Sequence, residues 1–193
     1  MKPNIFIFAG GKSSRFGGKP KILETFDYNK ELLNKYFNVF IVTSKDIYEK
    51  IRHLDSDFII QGMGKGSGGD VFSLLSKMNS PAFIAWSDVF YNEQNIKDIL
   101  AASKNGKNCM TAVNRENPYI SLKLKNDIIT GFEYNKDIGV QDNSLFFINS
   151  LSENSEEFMD MAIKNEFGVT IVEEKSKYFN TQEELFEIIS EYK

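Results

Sequence analysis

Asn4-Ile5-Phe6-Ile7-Phe8-Ala9, running into Gly10-Gly11-Lys12-Ser13-Ser14-Arg15-Phe16-Gly17-Gly18-Lys19-Pro20-Lys21, decides how the chain is read. Five of the first six residues are apolar with no polar alternation, the pattern of a strand buried on both faces. The next twelve hold four glycines, two serines, three lysines and one arginine. Glycine lets a backbone turn sharply and bring its N–H groups close to a ligand. Lysine and arginine supply the charge that phosphates need. A buried strand feeding such a loop reads as a polyphosphate site, against the plain alternative of a solvated surface loop.

Two better-known phosphate loops are excluded. The P-loop order, Gly, four residues, then Gly-Lys-Ser/Thr, does not occur here. Nor does the dinucleotide fingerprint Gly-x-Gly-x-x-Gly occur within residues 10–21. Instead, Ala9-Gly10-Gly11-Lys12-Ser13-Ser14-Arg15-Phe16-Gly17 with Lys19-Pro20-Lys21 resembles the opening of the nucleotidyltransferases that activate sugar 1-phosphates and related phosphomonoesters. That group includes the MobA-like NTP transferases and has a GT-A-like fold. The resemblance implies an α/β fold: a Rossmann-like α/β/α sandwich with a mostly parallel central sheet and a small antiparallel hairpin lobe.

The rest of the chain is compatible. A length of 193 residues points to one domain, 1–193, with a hairpin or acceptor lobe at about 114–150. The net charge of −4 argues against nucleic acid as a partner. No apolar run approaches the ~20 residues of a membrane span, and the opening residues do not read as a signal peptide. The single cysteine, Cys109, lies in a strand-like run and reads as a buried inert thiol. A cytoplasmic setting is expected. The single histidine, His53, ends a helical pattern among charges and receives no role.

Strand-like runs at 5–9, 39–43, 58–60, 82–86 and 109–113 alternate with helical patterns at 30–36, 46–53, 70–78 and 92–102. That alternation predicts a parallel sheet with ligands beyond the carboxyl ends of its strands. Gln61-Gly62-Met63-Gly64-Lys65-Gly66-Ser67-Gly68-Gly69 packs five glycines into eight residues. It is either a flexible turn capping a helix or a backbone that approaches a flat base. Its spacing resembles the family's second signature, which implies base contacts from Gln61, Gly66 and Ser67. Ala85-Trp86-Ser87-Asp88-Val89 ends an apolar strand with a carboxylate, the donor that hard cations prefer. It resembles the family's metal site. The second acid of Asp-x-Asp, usual in sugar transferases of this fold, is missing, which counts against sugar transfer.

Tyr119 to Leu124 and Ile128 to Glu133 alternate around a turn and read as a hairpin. Glu133, Lys136 and Asn143 loosely resemble acceptor-binding elements, although an exposed hairpin end explains Glu133 and Lys136 equally well. In the tail, 155–164 reads as helix and 169–173 as strand. Thr181 and Glu184 then form a capping box at the start of a last helix. Asn180 stands where sugar-type members often place a metal-binding aspartate, and guanylyltransferases acting on cofactor precursors commonly show Asn-Thr there. Asp142 is a further candidate for the second metal contact.

The resemblance thus implies transfer of a nucleoside monophosphate from an NTP to a phosphomonoester, with release of pyrophosphate. The acceptor would be a sugar 1-phosphate or a small alcohol phosphate such as phosphocholine. Ala9, Gly10, Gly11, Lys12 and Ser13 would bind nucleotide, and Arg15, Lys21 and Asp88 would be catalytic. Mg²⁺ would sit on Asp88 and Asn180. The expected partners are the triphosphate and the phosphorylated acceptor, and a homodimer is compatible. The alternatives are a guanylyltransferase acting on cobinamide phosphate or molybdopterin, and a nucleotide-binding regulator with impaired catalysis.

Overall fold

The computed structural model describes residues 2–10, 16–78, 80–179 and 181–191. Along the chain run β1 (Asn4–Phe8), α1 (Ile22–Leu33), β2 (Asn38–Thr43), α2 (Lys45–Ile51), β3 (Asp57–Ile60), α3 (Gly66–Leu75), β4 (Ala82–Trp86), β5 (Val89–Phe90) and α4 (Glu93–Ala102). Then follow β6 (Cys109–Glu116), β7 (Ile120–Lys125), β8 (Ile128–Tyr134), β9 (Ile138–Ile148), α5 (Phe158–Lys164), β10 (Gly168–Ile171), β11 (Lys177–Tyr178) and α6 (Gln182–Glu191).

Nine strands form one sheet in the order β3-β2-β1-β4-β9-β6-β10-β8-β7. Within it, β8 and β9 run against the others, so the sheet is mostly parallel. The apolar run in β1 is explained by its two faces. Ile5 and Ile7 pack with α1 and α4 residues such as Phe26, Ile96 and Ile99, while Phe6 and Phe8 pack with Val71 and Leu74 of α3 and Phe158 of α5. Ala82 and Ile84 of β4 face the second layer, and Phe83 and Ala85 face the first. A central strand covered on both sides has no place for a polar residue.

Three sequence expectations are met locally. The hairpin read at 119–133 forms β7 and β8. Thr181 N donates to Glu184 Oε2 at 3.1 Å and Glu184 N to Thr181 Oγ1 at 3.2 Å, so the capping box is real. Cys109 is buried, and burial pushes its thiol up to about 11. Asp88 caps no helix; Asn92 caps α4, its side chain accepting Gln94 N at 2.9 Å.

One expectation was too short. The helix read at 30–36 is the end of α1, which starts at Ile22 and runs 12 residues. Thr25, Asp27 and Asn29 are poor helix formers, because such side chains compete for nearby backbone groups. Here Thr25 and Asn29 turn inward, where tertiary bonds hold them.

Candidate active site

The carboxyl ends of β1, β2 and β3 are stitched together. Ala9 N donates to Val42 O at 2.9 Å, Thr43 Oγ1 to Ala9 O at 2.9 Å, and Gln61 N to Thr43 O at 3.0 Å. The next residue, Gly10, lies against Met63: a Cβ built there would come within 2.2 Å of Met63 Cε. The two glycine-rich segments, 55 or so residues apart in sequence, therefore touch at one edge of the sheet. Between β1 and β4 the strand order reverses, the position where open α/β sheets bind ligands.

Asp88 follows β4 at this edge and is held from α1. Lys21, at the N-terminus of α1, donates from Nζ to Asp88 Oδ2 at 3.0 Å and to Phe179 O at 3.1 Å. One turn on, Thr25 Oγ1 donates to Ser87 O at 2.9 Å. Another turn on, Asn29 Nδ2 donates to Val89 O at 2.7 Å and Asn29 Oδ1 accepts Tyr91 N at 3.0 Å. Spacing of i, i+4, i+8 puts all three on one helix face. One stripe of α1 thus grips the main chain on both sides of Asp88.

Tyr91 closes the same turn. Its buried hydroxyl accepts Trp86 N at 2.9 Å and lies 2.8 Å from Trp86 O and 3.0 Å from Ser144 O. It links the Asp88 turn to β9. From the other side, β11 pairs antiparallel with β5, and Phe179 N donates to Asp88 O at 3.2 Å. Phe16, Phe90 and Phe179, with Leu185 and Ile188 of α6, form a small separate core beneath this lobe. The chain at Phe179 is therefore anchored on Asp88.

The electrostatics suit a cation. The Asp88 side chain is 32% exposed, and that of Lys21 only 13%. Burial pushes the Asp142 carboxyl up to about 6, partly offset by the Ser144 N–H it accepts at 3.0 Å; the charge of Asp88 pushes it up further. The two carboxylates therefore feel one another. Among the described residues no group of three His, Cys, Asp or Glu side chains gathers into a metal cage. One or two carboxylates at an open edge fit a hard ion such as Mg²⁺, which keeps waters and takes phosphate oxygens as its remaining ligands.

No protein-family model matches the chain. The crystal structure of HddC from Yersinia pseudotuberculosis complexed with GMP-PN superposes with a TM-score of 0.74 at 14% identity, covering 99% of this chain and all of that one (100%). The inositol-1-phosphate CTP transferase from T. maritima gives 0.74 at 16% identity, covering 98% and 94%. The chain shares its fold with these two structures. In sequence, the chain is 29% identical over 123 residues to a probable molybdenum cofactor guanylyltransferase of Thermococcus sibiricus. That match covers 52% of this chain and 62% of the relative, less than two thirds of its length.

On this fold, Ala9, Gly10, Gln61, Lys21 and Asp88 share one edge of the sheet. Gly11, Lys12, Ser13, Arg15 and Asn180 lie outside the described residues. Gly66 and Ser67 have a task within the fold: a Cβ on Gly66 would meet Glu156 O at 2.2 Å, and Ser67 Oγ accepts Phe158 N at 3.0 Å. Glu133 bridges Lys123 at 2.6 Å and Lys136 at 2.8 Å, and those two ammonium groups, Lys123 foremost, hold its carboxyl down at about 2. Asn143 is buried, and its Nδ2 has no partner among the described residues. It lies where β9 bulges, beside Ser144 at φ +60°.

Sequence reading missed Thr25, Asn29 and Tyr91 as parts of the site. The 21-25-29 spacing carried the first two, but only to a reader who had already started the helix at Ile22.

Proposed function

We propose that this chain is a Mg²⁺-dependent nucleotidyltransferase, moving a nucleoside monophosphate from an NTP to a phosphomonoester such as a sugar 1-phosphate or phosphocholine. The observation that carries this reading is Lys21 bonded to Asp88 at the strand-order reversal of an NTP-transferase fold. It sets one cation and one carboxylate where a triphosphate and its metal would meet.

A phosphate oxygen of the acceptor attacks the α-phosphorus. A new P–O bond forms there, and the bond from the α-phosphorus to the α,β-bridging oxygen breaks. Pyrophosphate leaves with the electron pair. The acceptor phosphate is already anionic near neutral pH, so no general base is required. The barrier lies in bringing like charges together and stabilising charge as it shifts, which positioning and electrostatics supply.

The chain's own residues meet those needs. The backbone at Gly10 approaches the phosphates, and Gly11, Lys12, Ser13 and Arg15 would bind the rest of the triphosphate. Lys21, fixed at the start of α1, balances charge between acceptor phosphate and α-phosphate. Asp88 would hold the ion, with Asn180 or Asp142 as second contact. A bound Mg²⁺ supplies charge neutralisation at the phosphate oxygens. Gln61, Gly66 and Ser67 border the base, and Glu133, Lys136 and Asn143 border the acceptor; the unpartnered Nδ2 of Asn143 supports a ligand there.

A pyrophosphate-release assay over four NTPs and a panel of phosphomonoesters tests the proposal. Turnover with one pairing, abolished by EDTA, is expected. Nucleotide binding with no release on any acceptor would instead indicate a regulator. Transfer of guanylate to molybdopterin or cobinamide phosphate is the second reading, favoured by the Thermococcus relative.

A further inference from the structure

The ladder between β4 and β9 stops one pair early, and a buried hydroxyl fills the gap. The last matched residues are Ala85 and Leu145, so the same register would set Trp86 opposite Ser144. In the hydrogen-bonded pairs of an antiparallel ladder the two residues exchange both main-chain bonds. Ser144 instead sits at φ +60°, a left-handed shape that costs any residue with a Cβ. Its N–H donates to Asp142 Oδ1 at 3.0 Å. Its carbonyl meets Tyr91, which is fully buried. The Tyr91 hydroxyl accepts Trp86 N at 2.9 Å, and its single proton is left for Trp86 O at 2.8 Å or Ser144 O at 3.0 Å. Tyr91 thus stands as a wedge between the two main chains.

On its other side, β9 slips against β6 at the same level, between Met110 and Ala112. The outcome is a bulge at 142–144 in an interior strand, the kind of irregularity that re-aims a side chain. At its centre is Asn143, 6% exposed, whose Nδ2 has no partner among the described residues. A buried donor left unpaired calls for an explanation. The strand order supplies one. The two glycine-rich segments follow β1 and β3, Asp88 follows β4, and β9 lies beyond β4. The bulge is therefore on the far side of Asp88 from the loops proposed to hold the triphosphate. An acceptor in line with the departing pyrophosphate approaches the α-phosphorus from that far side.

We propose that Tyr91 is a positioning residue for the acceptor: its hydroxyl holds Trp86 and Ser144 apart and so keeps the bulge, and Asn143 with it, in place on the acceptor's side of Asp88. Without the wedge, Ser144 relaxes to the extended shape, the ladder closes on Trp86, and Asn143 is carried away. The Asp88 turn does not depend on the hydroxyl. Thr25 on Ser87 O, Asn29 on Val89 O and on the backbone N–H of residue 91, and Phe179 N on Asp88 O all persist in Tyr91→Phe. The loss therefore falls on the acceptor and spares the nucleotide. The inference rests on the nucleotidyltransferase reading, since it requires an acceptor.

The test follows pyrophosphate release by wild type, Tyr91→Phe and Tyr91→Phe/Ser144→Gly. The four NTPs are paired with glucose 1-phosphate, phosphocholine, phosphoethanolamine and glycerol 3-phosphate, and nucleotide binding is measured separately by calorimetry. With the best wild-type pair, Tyr91→Phe should raise the acceptor KM about tenfold or more and leave the nucleotide Kd within about twofold. Glycine adopts the left-handed shape freely, so the double variant should recover about fivefold of that loss. A merely structural role would weaken both substrates alike and gain nothing from the glycine. An unchanged acceptor KM in Tyr91→Phe, an equal loss of nucleotide binding, or no recovery in the double variant would each overturn the proposal. No release by wild type with any pair would instead sink the nucleotidyltransferase reading beneath it. If Tyr91→Phe fails to fold, Ser144→Val decides, because valine resists positive φ. The same rise in acceptor KM with nucleotide binding kept supports the wedge, and wild-type kinetics refute it.

Discussion

Replacing Asn29 with alanine is the sharpest probe of how the carboxylate turn is held. The side chain is 1% exposed and makes two bonds to the turn, one as donor and one as acceptor. Alanine would leave Val89 O and Tyr91 N without partners. Each buried group left unpaired costs about 1–3 kcal/mol, so the loss should total about 2–6 kcal/mol. Thr25→Val keeps the shape and strands only Ser87 O, so about 1–3 kcal/mol is expected. A domain in the middle of the ordinary range, about 10 kcal/mol, tolerates either change at 25 °C. Turnover can therefore be measured on folded protein. Loosening the turn that carries Asp88 should lower kcat about 10- to 100-fold, the scale on which small misplacements act. Urea unfolding gives the first quantity and pyrophosphate release the second. Asn29→Ala costing under about 1 kcal/mol, or costing less than Thr25→Val, would refute the idea that α1 pins this turn.

Other outcomes follow from the same geometry. Lys21→Ala should lower turnover by roughly 10²–10³-fold, the scale for one preorganised charge-stabilising group, and near-wild-type release of pyrophosphate would remove it from the mechanism. Asp88→Ala should abolish activity together with Mg²⁺ dependence; retained activity would mean that the metal is held elsewhere. Asp142 gives a pH signature. Its carboxyl, raised to about 6, is protonated at no cost below the ordinary carboxylate range, and folding must carry its charge as pH rises through 6. Asp142→Asn should therefore stabilise the chain at pH 8 in EDTA, by at most about 3 kcal/mol, and change little at pH 4. Equal effects at both pH values would show that Asp142 is not held in an unfavourable charged state.

What the sequence disclosed, and what it withheld, has a physical pattern. β1 was legible because a strand covered on both faces must be apolar throughout. The capping box and the hairpin were legible because their signals lie within a few residues. The start of α1 was hidden, since Thr25 and Asn29 lower helix propensity and their compensation comes from residues 87–91, some 60 positions away. β5 and β11 are two residues each and exist through pairing alone, with no periodicity to announce them. Asp70 gave no local signal either, because its carboxylate accepts the backbone N–H groups of Gly64 and Lys65, six and five residues earlier.

The most direct measurement is a crystal structure grown with Mg²⁺ and a non-hydrolysable NTP. The account predicts the triphosphate lying along Gly10 toward Lys21, with the ion on the Asp88 carboxylate. Nucleotide bound at any place that touches neither Lys21 nor Asp88 would contradict it.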